Sequence, residues 1–380
     1  MLENEKKLFI KDKKVNERRR ILNYIAFIKF IAMINIIKWH VVRRRGKSPI
    51  DYGARMCEIL FISSGFLVGY NHFQKKMLCD YVTSIQYSYK HLRVIYPLLF
   101  INTIYGYCFN HDKRYISLNS KSKIEILISN LLMIHNWSRY SKIASCFNGI
   151  TWFLADLLLC YFLTPLLLQG IKNVKTSLIL FIFTAFIRII SQELVRNGAL
   201  NLFDAHFHRG PIIRLLEYYL GMLLIPSFFE FKTHFDKYKN RKWFKNLFTF
   251  IEISFPVFIY FIMLKFNDIL YRCYYVIIFC SFIFIISYEY GFFSDIFSNI
   301  IIVKIMSCQM EMYQIQITIN DLFNKIINKE AFEKLFHTEV QFAIKLFIIF
   351  ICGYFIRILL RDKFSIFFDM VFNEFKKLFK

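Results

Sequence analysis

ILNYIAFIKFIAMINIIKWHVV, residues 21–42, is the stretch that decides the fold. Twenty-two residues of helix rise about 33 Å at 1.5 Å per residue, enough to cross a hydrocarbon core of about 30 Å. The run has no small-x-small cleavage site at its end, and residues 1–20 before it form a basic lead longer than an ordinary signal-peptide n-region. A first membrane span with a cytoplasmic lead is therefore expected. Three basic side chains interrupt the run, Lys29, Lys38 and His40, and the first and last of them stand eleven residues apart. Eleven residues make about three helical turns, so the two share one face about 16 Å apart.

Further blocks of similar length follow. Spans are expected near Arg55–Phe73, Leu92–Phe109, Ile150–Gln169, Thr176–Ser191, Ile212–Phe231, Leu247–Lys265, Cys273–Tyr288, Ile305–Phe323 and Val340–Leu360. The fold class is thus all-α, a polytopic transmembrane bundle of about ten spans, because lipid cannot satisfy exposed backbone groups. The apolar stretch Ile124–Ile134 is too short to cross and is expected as a re-entrant or interfacial helix. Phe364 to Lys380 alternates Phe pairs with Lys, the pattern of an amphipathic helix on the inner surface. Three regions result: a lead at 1–20, a transmembrane domain at 21–361 and a basic tail at 362–380.

Composition agrees. Hydrophobic residues make up 56 % of the 380-residue chain, above the roughly 45–50 % of soluble domains. The net charge of +23 falls mainly between apolar blocks, which suits the bilayer surface as partner; no nucleic-acid reader motif accompanies it. Both termini are expected inside, with the basic loop Lys232–Lys245. Two loops expected outside, around Arg43–Lys47 and Lys113–Lys123, run against the positive-inside rule. The nine cysteines contain no CxxC pair and read as small buried side chains, and Asp204, His206 and His208 read as an exposed loop rather than a metal site. No Walker, GxGxxG, HExxH or GxSxG motif occurs.

Ionisable groups inside spans are costly and mark candidate sites. They are Lys29, His40, Glu58, Asp156, Arg188, Arg214, Glu217, Glu252 and Glu311. An imidazole accepts a hydroxyl proton near neutral pH, as transfer to an alcohol requires, so His40 is a candidate base. Lys90 and Arg93 share a helical face at i, i+3. Ser63, Ser64 and Gly65 form a small-residue stripe, read as helix packing.

Several of these residues also sit in stretches that resemble the membrane acyltransferase-3 family. Lys29 through His40 is similar to its first span, where an Arg, ten residues and a required His occur. CEILFISSGFL (57–67) resembles its VDLFFVLSGFL element, and KHLRVIYP (90–97) its RRxxRIYP. NGITWFL (148–154) with Pro165 looks like its NGxxWxL…P span. RLLE (214–217) with Leu220–Gly221, and MEMYQIQ (310–316), resemble its sixth-span and late YEIYLxH segments. Lys29 and Lys90 stand where the family has Arg, and Gln316 where many members have His. Near Asp156 many members carry a Glu shifted by one position.

The resemblance implies an integral membrane O-acyltransferase using acyl-coenzyme A, with acetyl-coenzyme A the expected form, as donor substrate, with no bound cofactor. The acceptor would be a hydroxyl of a cell-surface or exported glycan, free or lipid-linked, and the setting the cell membrane. His40 would be the base, Glu58 its orienting carboxylate, and Lys29, Lys90 and Arg93 the phosphate-binding cations. Trp152, Asp156, Arg214, Glu217 and Glu311 would contact substrate or hold the bundle. A transporter or flippase of lipid-linked sugars is the alternative, though no internal repeat is visible. A non-catalytic homologue is the other, given Lys29 and Gln316.

Overall fold

The computed structural model describes residues 23–41, 52–73, 77–109, 117–137, 147, 149–196, 210–265, 274–327, 332 and 336–378. The basic lead, the loops at 42–51 and 110–116, and the 204–208 cluster lie outside them.

Helices dominate, and no strand occurs among the described residues. In chain order they are α1 (Asn23–Val41), α2 (Tyr52–His72), α3 (Tyr81–Phe109), α4 (Ser120–Leu131), α5 (Thr151–Gln169), α6 (Val174–Arg196), α7 (Pro211–Leu223) and α8 (Ile225–Phe235). Then follow α9 (Lys242–Lys265), α10 (Tyr275–Ile286), α11 (Phe292–Phe297), α12 (Ile300–Met306), α13 (Gln309–Ile326), α14 (Thr338–Leu359) and α15 (Arg361–Leu378). Among the described residues, seven helical stretches are long and apolar enough to cross a membrane, with α7 and α8 counted as one. The remaining expected spans fall on α2, on the 12-residue α10 and on α12–α13.

Three boundaries differ from expectation, each for a local reason. α3 begins at Tyr81, well before Leu92, because Asp80 caps it: Thr83 N–H donates to Asp80 Oδ1 at 2.7 Å and the Thr83 hydroxyl to Oδ2 at 3.0 Å. Its first turns are polar and carry no span signal. The sixth expected span breaks at Leu224, ahead of Pro226. The ninth breaks at Ser307–Cys308 between α12 and α13.

α2 forms the centre of the bundle and packs on α7, α10 and α5. Phe61, Ile62 and Phe66 are fully buried there, as are Tyr218 and Leu220 of α7. The small-residue stripe makes this contact close. A Cβ on Gly65 would stand 1.8 Å from the Tyr218 carbonyl oxygen, and one on Gly221 would stand 2.0 Å from that of Ile62. Glycine is required at both positions because backbone meets backbone.

Contacts between helix ends fall into two sets. At one side Lys38 of α1 donates to Glu339 of α14 at 2.9 Å, and Lys325 lies over the Tyr105 and Phe109 rings at the end of α3. At the other, the Tyr24 N–H donates to Glu289, Tyr290 to Asp236 at 2.7 Å, Lys245 to Asp295 at 2.7 Å, and Arg93 to Asp369. Each contact joins ends that the ten-span reading places on one side. The second set holds the basic 232–245 loop and so is the expected inner side.

Candidate active site

The first structural element of the site is a cavity of about 190 Å³ on the inner side, enclosed by α1, α2, α3, α5, α13 and the α14–α15 junction. Its floor is apolar, with Met33, Leu60, Leu98, Phe153 and Leu157. Its rim is cationic. Lys29 and Lys90 both line it, as does Arg361, which no sequence motif singles out. Lys29 Nζ donates to Ser64 Oγ at 3.0 Å, which fixes the ammonium against α2. Arg361 Nη1 donates to Glu311 Oε1 at 3.2 Å, and Arg357 stands 3.7 Å from the same oxygen. Glu311 is buried on the cavity wall, so its charge is answered by two guanidiniums. His91 also lines the cavity, with its ring stacked on Tyr161 at 4.1 Å.

Arg93 has a different place. It is not among the cavity-lining residues; its Nη1 lies 2.5 Å from Asp369 Oδ2 of α15. The Tyr89 hydroxyl lies 3.1 Å from Asp369 Oδ1 and donates to the Phe368 carbonyl at 3.0 Å. Arg93 and Tyr89 hold Asp369 below the usual carboxylate range by hydrogen bonding and charge. Lys90 and Arg93 thus share a helix but serve different neighbours.

His40 sits half-buried near the C-terminal end of α1, its ring edge-on to Trp39 at 4.8 Å. Beside Lys38 and Trp39 lies a second groove of about 340 Å³, lined mainly by apolar side chains of α1, α2, α9 and α10. Glu58 is fully buried, and its partners are Arg55, through Oε1, and Arg188 Nη2 at 3.6 Å. Its hydrogen bond, from Arg55, and its ion pair, with Arg188, therefore go to arginines rather than to His40.

That carboxylate opens a buried charge cluster across α2, α6 and α7. Arg188 donates to Glu217 Oε1 through Nε at 2.9 Å and Nη2 at 2.8 Å, and to Gln192 at 2.6 Å. Arg214 donates to Glu217 Oε2, and its guanidinium lies over the rings of Phe61 at 5.7 Å and Trp152 at 5.6 Å. Nearby on α5, Asp156 Oδ1 accepts from Asn136 at 2.8 Å. The same Asn136 amide donates to the Trp152 carbonyl at 2.8 Å. Three arginines, Arg55, Arg188 and Arg214, thus face two carboxylates, Glu58 and Glu217, while Asp156 is held by an amide. Removing one member of such a set leaves a buried charge unanswered and costs about 3–5 kcal/mol.

Asn136 belongs to a 3₁₀ turn, His135–Trp137, that follows α4 and dips onto the start of α5. The Thr151 hydroxyl lies 3.2 Å from His135 Nε2 in the same place. The short apolar segment before it is therefore a helix whose C-terminal continuation enters the bundle. Gln316 is buried and donates to the Tyr313 carbonyl at 3.0 Å. Glu252 has a capping role: it accepts the N–H groups of Gly291, Phe293 and Ser294 at the start of α11. Lys345, a cation passed over in the α14 stretch, donates to Asn320 at 2.8 Å and Asn324 at 3.0 Å. Cys57, Cys160, Cys280 and Cys308 are buried, as their apolar settings suggest; Cys352 is half-buried, and Cys79 and Cys108, ahead of the first turn and in the last turn of α3, are exposed against that expectation. No His, Cys, Asp and Glu grouping fit for a metal occurs among the described residues.

Compared with known families, residues 22–361 match the one described as an acyltransferase domain. The chain belongs to the acyltransferase-3 family. No curated protein and no solved structure matches it. Within this acyltransferase-3 chain the match runs from the first residues of the α1 region to Arg361, so all of α15 after its first residue lies beyond it. Family and bundle together make it a multi-pass membrane protein of acyltransferase type.

Proposed function

We propose that the protein is an O-acyltransferase that takes an acyl group, acetyl in the simplest case, from acyl-coenzyme A and places it on a glycan hydroxyl at the cell membrane. The observation that carries this reading is the inner cavity, with Lys29, Lys90 and Arg361 around an apolar floor, inside the family-matched bundle. Phosphates need cations, and a pantetheine arm needs an apolar passage. Lys29 and His40 share α1, about 16 Å apart by helical rise. An extended arm spans such a distance, so the phosphates at Lys29 put the thioester toward His40.

The step is a simple acyl transfer. His40 takes the proton of the acceptor hydroxyl as the oxygen attacks the thioester carbonyl carbon. The tetrahedral intermediate collapses by breaking the C–S bond, and coenzyme A leaves as thiolate to be protonated. The acceptor approaches from the outer side, where the groove beside Trp39 offers an apolar wall for a lipid-linked glycan. Glu58 acts in this scheme through the arginine cluster that stiffens α2, rather than as a direct partner of the imidazole.

Purified protein in lipid nanodiscs, given acetyl-coenzyme A and glycans of the producing cell, tests the reading by thiol release and mass spectrometry of the glycan. Acyl transfer is expected, with a rate that rises with pH through the imidazole titration and then levels. His40→Ala lowers turnover about 10²–10⁴-fold and leaves coenzyme A binding intact. Normal rates in folded His40→Gln protein would end the assignment of the base.

A further inference from the structure

We infer that Arg361 is the third phosphate cation of the acyl-donor site, in the place that Arg93 would otherwise be given. This rests on the proposed use of acyl-coenzyme A. Lys29, Lys90 and Arg361 converge on one cavity, and Glu311 is the only carboxylate among its described lining residues. Three cations against one carboxylate leave an excess of two positive charges in a confined space. Like charges gathered this way repel unless an anion joins them. A diphosphate carries the matching charge, and a guanidinium binds phosphate through paired N–H groups, as an ammonium does not.

Arg361 is also held for the task. Its side chain is about a third exposed, so it reaches both the cavity and water. Glu311, buried on the wall of the same cavity, takes one of its N–H groups at 3.2 Å and leaves others to point at a ligand. Glu311 is thus a positioning residue for Arg361. Arg93 instead ties α3 to α15 through Asp369. The two arginines therefore have separable effects: Arg361 on phosphate affinity, Arg93 on the docking of the tail helix.

The test is calorimetric titration of the full chain in nanodiscs with coenzyme A, 3′-dephospho-coenzyme A and pantetheine. Arg361→Gln is expected to weaken coenzyme A about tenfold, the loss of one charge-assisted contact that is partly exposed. Pantetheine, which has no phosphate, binds both proteins alike. Arg361→Lys recovers part of the loss, and the salt dependence of coenzyme A binding is shallower in Arg361→Gln. Arg93→Gln weakens coenzyme A less than Arg361→Gln does. Equal coenzyme A affinity in wild type and Arg361→Gln overturns the inference. So does an equal loss for coenzyme A and pantetheine, which marks a structural role through Glu311. Should Arg361→Gln fail to fold, the smaller loss in Arg361→Lys, specific to the phosphate-bearing ligands, decides the matter. Wild-type protein that gains affinity from the phosphates, all of which Arg361→Gln keeps, refutes Arg361 alone; wild type that binds none of the three, or gains nothing from the phosphates, refutes the donor reading itself.

Discussion

Gly221→Ala sets two physical effects of opposite sign against each other. In an isolated helix, alanine is favoured over glycine by about 1 kcal/mol. At the α2–α7 contact the added Cβ would lie 2.0 Å from the Ile62 carbonyl oxygen and 2.9 Å from the Phe66 nitrogen, where ordinary contact begins near 3.4 Å. Both neighbours are backbone, so no side chain can swing aside. The helices must open by roughly 1.4 Å, the difference between 3.4 and 2.0. A gap of about 1 Å already forfeits up to half of each van der Waals well across an interface. That interface buries Phe61, Phe66, Tyr218 and Leu220 completely. Overpacking of this kind costs about 3 kcal/mol, the upper end of its usual range. The net loss is about 2 kcal/mol after the helix preference is subtracted. At about 2.1 cal/mol/K of unfolding entropy per residue, the melting temperature of a 380-residue chain should fall by about 2–3 °C. Heating the detergent-solubilised protein and following the monodisperse peak by fluorescent-tag chromatography measures it. Gly65→Ala should behave alike, and the double variant should lose less than the sum, because one opening of the helix pair accommodates both methyls. A Gly221→Ala protein that melts at or above wild type would refute the close-packing argument.

Three other outcomes follow from the same geometry. Asn136→Ala strips Asp156 of the amide bonded to its Oδ1, at a cost of about 1–3 kcal/mol; adding Asp156→Ala should return part of that, and strictly additive melting shifts would show the pair to be uncoupled. The Arg93–Asp369 contact depresses the Asp369 pKa, so its contribution is complete above the ordinary carboxylate pKa of about 3.9 and fades as pH falls through the lower folded value. A spin label at the exposed position 366 should therefore report a docked α15 from neutral pH down to about pH 4, while Asp369→Asn releases it at pH 7; identical spectra for both proteins at pH 7 would discard the contact. Cysteines placed at 236 and 370, on a background without the native ones, should react only with reagent supplied from the inner side, and labelling of either from outside would overturn the ten-span orientation.

The parts of the fold visible in the sequence are those that lipid imposes. A run of about 20 apolar residues has few alternatives to a membrane helix, so each expected span meets a helix. What the runs conceal is local polarity at helix ends. The first turns of α3, YVTSIQYSYKH, look like a loop because they lie at an interface rather than in lipid. Among site residues, Lys29 of α1 and Lys90 of α3 line one cavity, a meeting that no spacing within either helix encodes, while the i, i+3 spacing that pairs Lys90 with Arg93 does not bring Arg93 there. Arg93 and Arg361 are distinguished only by a partner 276 residues away, Asp369, and no periodicity within α3 encodes that. Asn136 is equally silent: a neutral amide in a short turn gives no signal until α5 is placed beside it.

The buried charge cluster bears on why the two ends of the site stay in register. α1 carries both Lys29 and His40, so their separation is fixed by helical rise alone. The wall opposite α1 is α2, which meets Lys29 through Ser64. One and a half turns earlier on α2, Glu58 is engaged by Arg188, and Arg188 in turn grips Glu217 on α7. Gly65 and Gly221 lock the same two helices at backbone distance. α2 is therefore held along its length by a close contact and a charge network that share no residue, and sliding it against α7 would break both. In the proposed reaction the acyl-donor phosphates and the attacking oxygen sit about three helical turns apart, so a drift of about 1 Å in that wall is enough to lose the reactive alignment. A network buried this deeply is weak evidence for stability in itself, yet it suits a bundle that must hold one arrangement of helices across the thickness of a membrane.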